Sequence, residues 1–135
     1  MPELEWSMLC EYCLIAEEDT FYGCEVDHII SEKHGGPTEA DNLCYACVFC
    51  NQAKGSDVGS IHWETEEFVR FFNPRTDRWA DHFVLVGSQI EGVTAIGAVT
   101  ARILGFSIGE RLLERHTLQG MNRYPSPAAR IRMRT

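Results

Sequence analysis

Four cysteines of the chain stand in two pairs with the same spacing. Cys10 and Cys13 form one C-x2-C pair, and Cys47 and Cys50 form a second pair further along the chain. Thiolates are preferred ligands of zinc, and four of them fill a tetrahedral site without leaving a position for water. The spacing therefore predicts a structural zinc site, and buried thiols without a metal are the alternative.

A second set of polar residues has the side chains needed for hydrolysis. Asp27 and His28 are adjacent, Asn42 follows them, and Asn51 comes directly after the last cysteine of the second pair. Carboxylate and amide oxygens suit Mg²⁺ or Mn²⁺ better than zinc. Imidazole is the side chain that exchanges a proton near neutral pH, but it needs a partner that orients it.

These residues need elements that bring them together. Residues 20–30 are rich in β-branched and aromatic side chains, which indicates a strand, and the Gly-Gly-Pro run makes residues 31–41 a loop. Residues 42–46 are expected to form a second short strand. Residues 48–54 are typical of a short helix that ends at Gly55. The two cysteine pairs would staple the ends of this segment together.

The segment resembles the HNH endonucleases of the ββα-metal group. The resemblance covers residues 10–57 and rests on the pattern C-x2-C, E-V-D-H-I-I, H-G-G-P-T-E-A-D-N-L and C-x2-C-N-x2-K-G. It implies that Asp27 and Asn51 hold a catalytic Mg²⁺ or Mn²⁺ ion, that His28 is the general base, and that Asn42 orients the imidazole. It also implies one-metal hydrolysis of phosphodiester bonds in DNA.

The charge is divided unevenly along the chain. The net charge is -8, but residues 1–70 hold 15 acidic and 3 basic side chains, whereas residues 71–135 hold 5 acidic side chains and 9 arginines. Guanidinium groups pair well with phosphate oxygens, so Arg75 and Arg78 are candidate nucleic-acid contacts, together with Lys54 on the predicted helix. A packing segment is the alternative for the stretch that contains these two arginines.

The net negative charge of the chain should affect how strongly the expected enzyme binds DNA. Non-specific binding to DNA depends on neutralising phosphates, which an acidic protein does poorly. We therefore expect a weak, salt-sensitive enzyme or one recruited by a protein partner. One such site cuts one strand, so double-strand cleavage would require a homodimer or two binding events.

The rest of the chain is expected to form an α/β extension. Residues 64–72 begin with acids and are followed by Pro74, which indicates a helix. Residues 82–92 are typical of a hairpin that turns at Gly87 and Ser88.

Two helices should follow this hairpin. Thr94 is placed to cap a helix over residues 95–104. Ser107, with Glu110 three residues later, is placed to cap another helix that ends near Leu118. The apolar positions of the second helix fit a stripe on one face, namely Ile108, Leu112 and Leu113.

The predicted architecture is α+β, a zinc-stapled ββα core followed by a β-hairpin and two short helices. We divide the chain into a nuclease core (1–57), an extension that packs on it (58–120) and a basic tail that we expect to be flexible (121–135). Residues 1–9 should form a short helix or an irregular lead-in. The chain shows neither an apolar span nor a secretory signal, so we expect a cytoplasmic protein without a membrane partner.

Two other function classes compete with the nuclease. A non-catalytic zinc module that binds nucleic acid or protein would keep the cysteines but lose Asp27, His28 or Asn51, and all three are present. A thiol redox protein would carry one C-x2-C pair in a βαβ unit, which two pairs around this segment do not match.

Overall fold

Helices and short antiparallel hairpins alternate along the chain, and the α+β class is confirmed. The computed structural model describes residues 8–135, so most of the expected lead-in at residues 1–9 lies outside the described part. In chain order the elements are β1 (Cys24–His28), β2 (Leu43–Cys47), α1 (Val48–Lys54), β3 (Gly59–His62), β4 (Glu67–Arg70), α2 (Trp79–His82), β5 (Phe83–Val86), β6 (Gln89–Gly92), α3 (Ala95–Ile103), α4 (Gly109–Gly120) and α5 (Pro127–Arg134). Within the described residues, no helix combines the length and apolarity needed to cross a membrane.

The first hairpin and the helix that follows it form the predicted ββα segment. β1 and β2 pair antiparallel, with Cys24 opposite Cys47 and His28 opposite Leu43. β1 is shorter than the strand predicted over 20–30, whereas α1 has the predicted bounds and ends before Gly55. The segment therefore brings the end of β1 beside α1.

The helix predicted over residues 64–72 is wrong, because these residues belong to the turn and second strand of a hairpin. β3 and β4 pair antiparallel, with Gly59 opposite Arg70. A Cβ at Gly59 would lie 2.4 Å from the carbonyl oxygen of Val69, so the close pairing depends on glycine. Each strand has only four residues, which is too short for strand periodicity to outweigh the helix-like run of acids.

The second half of the chain packs through aromatic rings. The Phe72 and Phe83 rings meet edge to face at 5.3 Å, and the Trp79 and Phe83 rings contact each other at 5.1 Å with their planes tilted by 37°. The indole Nε1 of Trp79 donates to the carbonyl oxygen of Tyr12 at 2.8 Å, which joins this cluster to the first cysteine pair. The segment around Arg75 and Arg78 is therefore a packing segment.

The predicted hairpin and the first of the two helices are confirmed. β5 and β6 pair around Gly87 and Ser88. Thr94 caps α3, because its hydroxyl accepts a hydrogen bond from the backbone N–H of Gly97 at 3.0 Å.

The second helix differs from the prediction in its cap and its buried face. The Ser107 hydroxyl bonds to the backbone of Ile90, and the N-cap position of α4 is Ile108 without a side-chain cap. Two residues of the predicted apolar stripe, Ile108 and Leu113, are exposed. Arg111 and Arg115 are buried instead. The periodicity of apolar residues does not reveal this burial, because it depends on compensating groups that are distant in the sequence.

The tail that was expected to be flexible contains α5 and contacts the core. Ser126 caps this helix, and Ala129 is fully buried. The Tyr124 hydroxyl donates to the carbonyl oxygen of Cys13 at 2.9 Å. These contacts tie the tail to the first cysteine pair, while the division of the chain at residues 57 and 120 stays a prediction.

A buried carboxylate joins the first cysteine pair to three distant parts of the chain. Glu11 is 0% exposed, and its Oε2 accepts a hydrogen bond from the Tyr45 backbone N–H at 2.9 Å. Its Oε1 accepts from Arg132 of α5 at 2.9 Å and also from Arg75. Breaking a buried ion pair on one side leaves charge without compensation, so this cluster should matter for stability.

Glu11→Gln should therefore destabilise the protein strongly. The change keeps the volume of the side chain but leaves two guanidinium groups without their shared anion, and we expect a loss of about 3 kcal/mol in the free energy of unfolding. Urea denaturation measures it. The control is Glu18→Gln, because Glu18 is exposed and pairs with Arg123 at 3.7 Å, and surface pairs contribute less than about 1 kcal/mol. Equal losses in the two variants would contradict the role of Glu11.

Candidate functional site

The four predicted cysteines form a single buried cluster. The Sγ atoms of Cys10, Cys13, Cys47 and Cys50 all lie within 4.8 Å of one another, and those of Cys13 and Cys47 are 3.8 Å apart. Zinc–sulfur bonds of about 2.3 Å in a tetrahedron place sulfurs about 3.8 Å from each other, so the cluster fits the ion. In the described part of the chain, it is the one group of three or more His, Cys, Asp or Glu residues with such geometry. The donor set suggests zinc.

Local backbone geometry builds the two halves of this cluster. In the first pair, Leu14 has a positive φ of 65° and donates its backbone N–H to the carbonyl oxygen of Cys10 at 2.9 Å, which closes a tight turn. In the second pair, Cys47 is the N-cap of α1 and its sulfur accepts from the backbone N–H of Cys50 at 3.5 Å. Each C-x2-C thus presents two sulfurs from one turn.

The pKa of Cys13 is shifted in the opposite direction from those of three other buried cysteines. Hydrogen bonds from the other three cluster thiols hold the pKa of Cys13 well below its ordinary value, and the nearby charge of Arg111 lowers it further. Outside the cluster, burial raises the pKa of Cys44 to about 12 and also raises that of Cys24. Inside the cluster, burial raises the pKa values of Cys10 and Cys50, so without a metal the cluster favours a thiolate at Cys13. Cys44 remains a neutral packing thiol.

The oxygen-bearing residues lie where β1 meets α1. Asn51 Nδ2 donates to Glu25 Oε2 at 3.2 Å, and Lys54 Nζ donates to Asp27 Oδ2 at 3.4 Å. Lys54 Nζ also donates to the backbone carbonyl oxygen of His28 at 2.9 Å. Residues three apart on a helix share a face, as do residues two apart on a strand. The Asn51–Glu25 and Lys54–Asp27 contacts therefore lie side by side between α1 and β1. Asp27 and Asn51 thereby lie on β1 and α1 where these elements contact each other, and the His28 backbone lies next to them.

Of the three residues expected to contact nucleic acid, Lys54 and Arg75 bind groups inside the protein instead. Lys54 is 1% exposed and its ammonium is bound to β1, so it positions Asp27 and the end of the strand rather than reaching a phosphate. Arg75 is paired with the buried Glu11. Arg78 is exposed, and its Nε donates to the backbone carbonyl oxygen of Thr135.

Asn42 fastens the loop between β1 and β2. Its side chain accepts from the Ile30 N–H at 3.0 Å and donates to the carbonyl oxygens of Ile30 and Pro37, each at 2.9 Å. A Cβ at Gly36 would lie 1.7 Å from the Ile30 oxygen and 2.9 Å from Asn42 Nδ2, so the loop closes on Asn42 only because residue 36 is glycine. Both amide hydrogens of Asn42 are thus used on the loop backbone.

The imidazole of His28 has a different partner from the one expected. Its Nε2 shares a hydrogen bond of 2.8 Å with the Thr38 hydroxyl. Thr38 lies in the loop that Asn42 fastens, so the contribution of Asn42 to the position of the imidazole is indirect.

Sequence reasoning missed three residues around these sites. Glu25 had a signal, because it stands two residues before Asp27 and shares its strand face. Thr38 had none, since its contact with His28 depends on how the loop closes. Arg111 was hidden by the search for an apolar face, although it lies against the cysteine cluster.

The comparisons with known proteins agree with this geometry over part of the chain. Residues 10–57, which are under half of the sequence, match the family model described as HNH endonuclease. Neither the curated proteins nor the solved structures contain a match to this chain. The resemblance is therefore confirmed for the segment that holds the cysteine cluster and the β1–α1 site, and it indicates a nuclease or nucleic-acid-related function.

Replacing one cluster cysteine should remove the metal and destabilise the fold. Cys47→Ser takes a thiolate from a closed site whose binding energy is part of the folding energy, so the variant should lose zinc and melt at least about 10 °C lower. Elemental analysis and thermal denaturation measure this, with about one zinc per chain expected in the parent. Cys24→Ser is the control, because this thiol lies outside the cluster and its loss should leave the zinc content unchanged. A parent without zinc would refute the assignment.

Proposed function

We propose that the chain is a metal-dependent endonuclease that hydrolyses phosphodiester bonds of DNA, with His28 as the general base. The observation that carries the proposal is the position of His28 at the end of β1, with its Nε2 bound by Thr38, with Asp27 beside α1 and with Asn51 on α1. This arrangement lies inside the segment that matches the HNH endonuclease model.

The contact with Thr38 supports a division of roles between the two nitrogens of His28. When Nε2–H donates to the Thr38 hydroxyl, Nδ1 carries the lone pair and can take a proton from an attacking water. A hydroxyl that also holds the ring in one orientation favours proton transfer, because the base must be within hydrogen-bonding reach of the water. In this proposal Thr38 is a positioning residue, and Asn42 acts through the loop that contains Thr38.

Asp27 and Asn51 are the residues we propose for a catalytic Mg²⁺ or Mn²⁺ ion. Their donor atoms are a carboxylate oxygen and an amide oxygen, which fit a hard cation. Lys54 engages Oδ2 of Asp27, and the hydrogen bond to Glu25 orients the Asn51 amide. Such an ion would neutralise negative charge at the scissile phosphate and at the leaving oxygen.

DNA binding by this chain would rest on few cations. Arg75 and Lys54 are engaged inside the protein, so Arg78 is the remaining proposed contact, and the exposed Arg130 and Arg134 of α5 carry charge of the same sign. With a net charge of -8, non-specific affinity should be weak and fall with salt. We propose that recruitment by a protein partner or dimerisation provides the missing affinity.

The second candidate is a non-catalytic zinc module that binds nucleic acid. The ion pair between Lys54 and Asp27 favours it, because an ammonium group already neutralises the carboxylate that the catalytic ion would need. Supercoiled plasmid incubated with the purified protein separates the two candidates. The nuclease should produce nicked circles when Mg²⁺ or Mn²⁺ is added and none in EDTA, whereas the zinc module should retard the plasmid without nicking it.

His28→Ala should abolish nicking while leaving the fold intact. The imidazole accepts the proton in the chemical step, and removing a general base lowers the rate by about 10²- to 10⁴-fold. The measurement is the initial nicking rate with saturating Mn²⁺, alongside a melting curve. His34→Ala is the control, since His34 is an exposed loop residue and its loss should leave the rate unchanged. A His28→Ala variant that nicks at the parent rate would exclude the proposed base.

Thr38→Val should slow the reaction without removing it. Valine keeps the shape of threonine but cannot share the hydrogen bond with Nε2, and one such bond corresponds to a decrease in kcat of about tenfold. Thr38→Ser restores the hydroxyl and should recover most of the rate. If serine and valine have the same effect on kcat, Thr38 does not act through its hydroxyl.

A further inference from the structure

Arg111 of α4 lies directly against the cysteine cluster. Its Nη2 lies 3.7 Å from Cys47 Sγ and 3.6 Å from Cys50 Sγ, within donor reach of both sulfurs. The side chain is 1% exposed. The Phe49 ring, which stands between these two cysteines in the sequence, lies 5.2 Å from the guanidinium carbon. One arginine therefore contacts the whole second C-x2-C pair.

The charge of this arginine requires compensation. A guanidinium buried away from water is strongly unfavourable unless anions surround it. Among residues 8–135, the nearest carboxylate is that of Glu114, which lies 4.0 Å from Nε, at the limit of an ion pair, and is partly exposed. The two sulfurs are closer to the guanidinium nitrogens than this carboxylate. The cluster is thus the main counter-charge of Arg111.

The cysteine cluster, in turn, requires positive charge beside it. Zinc with four thiolates carries a net charge of about -2, which is also unfavourable in a protein interior. Sulfurs in such a site are stabilised by donors around them, and these outer partners affect metal affinity. Arg111 brings a full positive charge to two of the four sulfurs.

The other end of the buried face of α4 is fixed to the β5–β6 turn. Arg115 Nε donates to the carbonyl oxygen of Ser88 at 2.7 Å, and Gln119 Nε2 donates to that of Gly87 at 2.8 Å. Arg111, one turn earlier, reaches the cluster. Helix α4 consequently connects the cysteine cluster, which belongs to the first half of the chain, to the β5–β6 hairpin of the second half.

We propose that Arg111 is the cationic member of the zinc centre, so that zinc affinity and the docking of α4 are one coupled equilibrium. Coupling between two binding events is reciprocal, so a docked α4 strengthens zinc binding and bound zinc strengthens docking by the same factor. The inference rests on the cysteine cluster and is independent of the nuclease activity.

The test compares Arg111→Met with Arg115→Met. Methionine keeps an unbranched chain and removes the charge in both variants. Arg115 is as buried as Arg111 and lies on the same helix, but it bonds to the carbonyl oxygens of Ser88 and Phe106 instead of sulfur. Both changes should lower stability, so a lower melting temperature alone does not distinguish them.

The distinguishing measurement is the sulfur-to-metal charge-transfer absorption of the Co²⁺-substituted protein. A positive charge beside the sulfurs lowers the energy of their lone pairs and raises the transition energy. Arg111→Met should therefore shift this band to longer wavelength, and Arg115→Met should leave it in place. Arg111→Lys, which keeps the charge but cannot contact two sulfurs equally, should give a smaller shift and provides a second variant if methionine prevents folding.

Zinc affinity provides the second readout. Competition with a chromogenic chelator should give a zinc Kd about 10- to 100-fold higher for Arg111→Met than for the parent, as expected when an outer partner of a metal ligand is removed. A parental absorption band in both Arg111 variants, or equal band shifts in Arg111→Met and Arg115→Met, would overturn the proposal.

Discussion

The buried cluster of four sulfurs is the constraint on which the rest of the structure depends. It joins the first turn of the described chain to the junction of β2 and α1. From this junction α1 carries Asn51 and Lys54 to their contacts with β1, the strand that holds Asp27 and His28. Without this link, the turn that contains Cys10 and Cys13 would lose its attachment to the start of α1. The cluster also organises the second half of the chain, which reaches it through Arg111 and reaches the Cys13 backbone through Tyr124.

Ion pairs within the protein help to explain the uneven distribution of charge along the chain. Four of the nine arginines of the second half pair with anionic groups of the first half. Arg75 and Arg132 do so at Glu11, Arg111 at the cluster and Arg123 at Asp19. These four positive charges are therefore used within the protein. A charge split that resembles a phosphate-binding surface in the sequence is in part complementarity between two halves of one chain.

The parts of the fold that were predictable are those with local or strictly spaced signals. The cysteine spacing, the β1–β2–α1 segment and the Thr94 cap each depend on residues that are neighbours in sequence or belong to one motif. The β3–β4 hairpin was missed because strands of four residues show too little periodicity. The burial of Lys54 and Arg111 was missed because polar residues are expected at the surface. Their burial follows from partners 27 and 61 residues away, and no window of sequence contains both members of such a pair.

The contacts of Glu11 and Tyr124 bear on the order in which the chain can fold during synthesis. All four cysteines have been made once residue 50 is complete, but the partners that enclose the first pair are Tyr124 and Arg132, 111 and 121 residues beyond the groups they contact. Contacts of such long separation form late, since the intervening chain must first be brought together. A nascent chain that has emerged to residue 120 therefore has its zinc ligands but lacks the tyrosine and one of the two arginines that complete their surroundings. We expect the metal centre to reach its final environment only after α5 has left the ribosome.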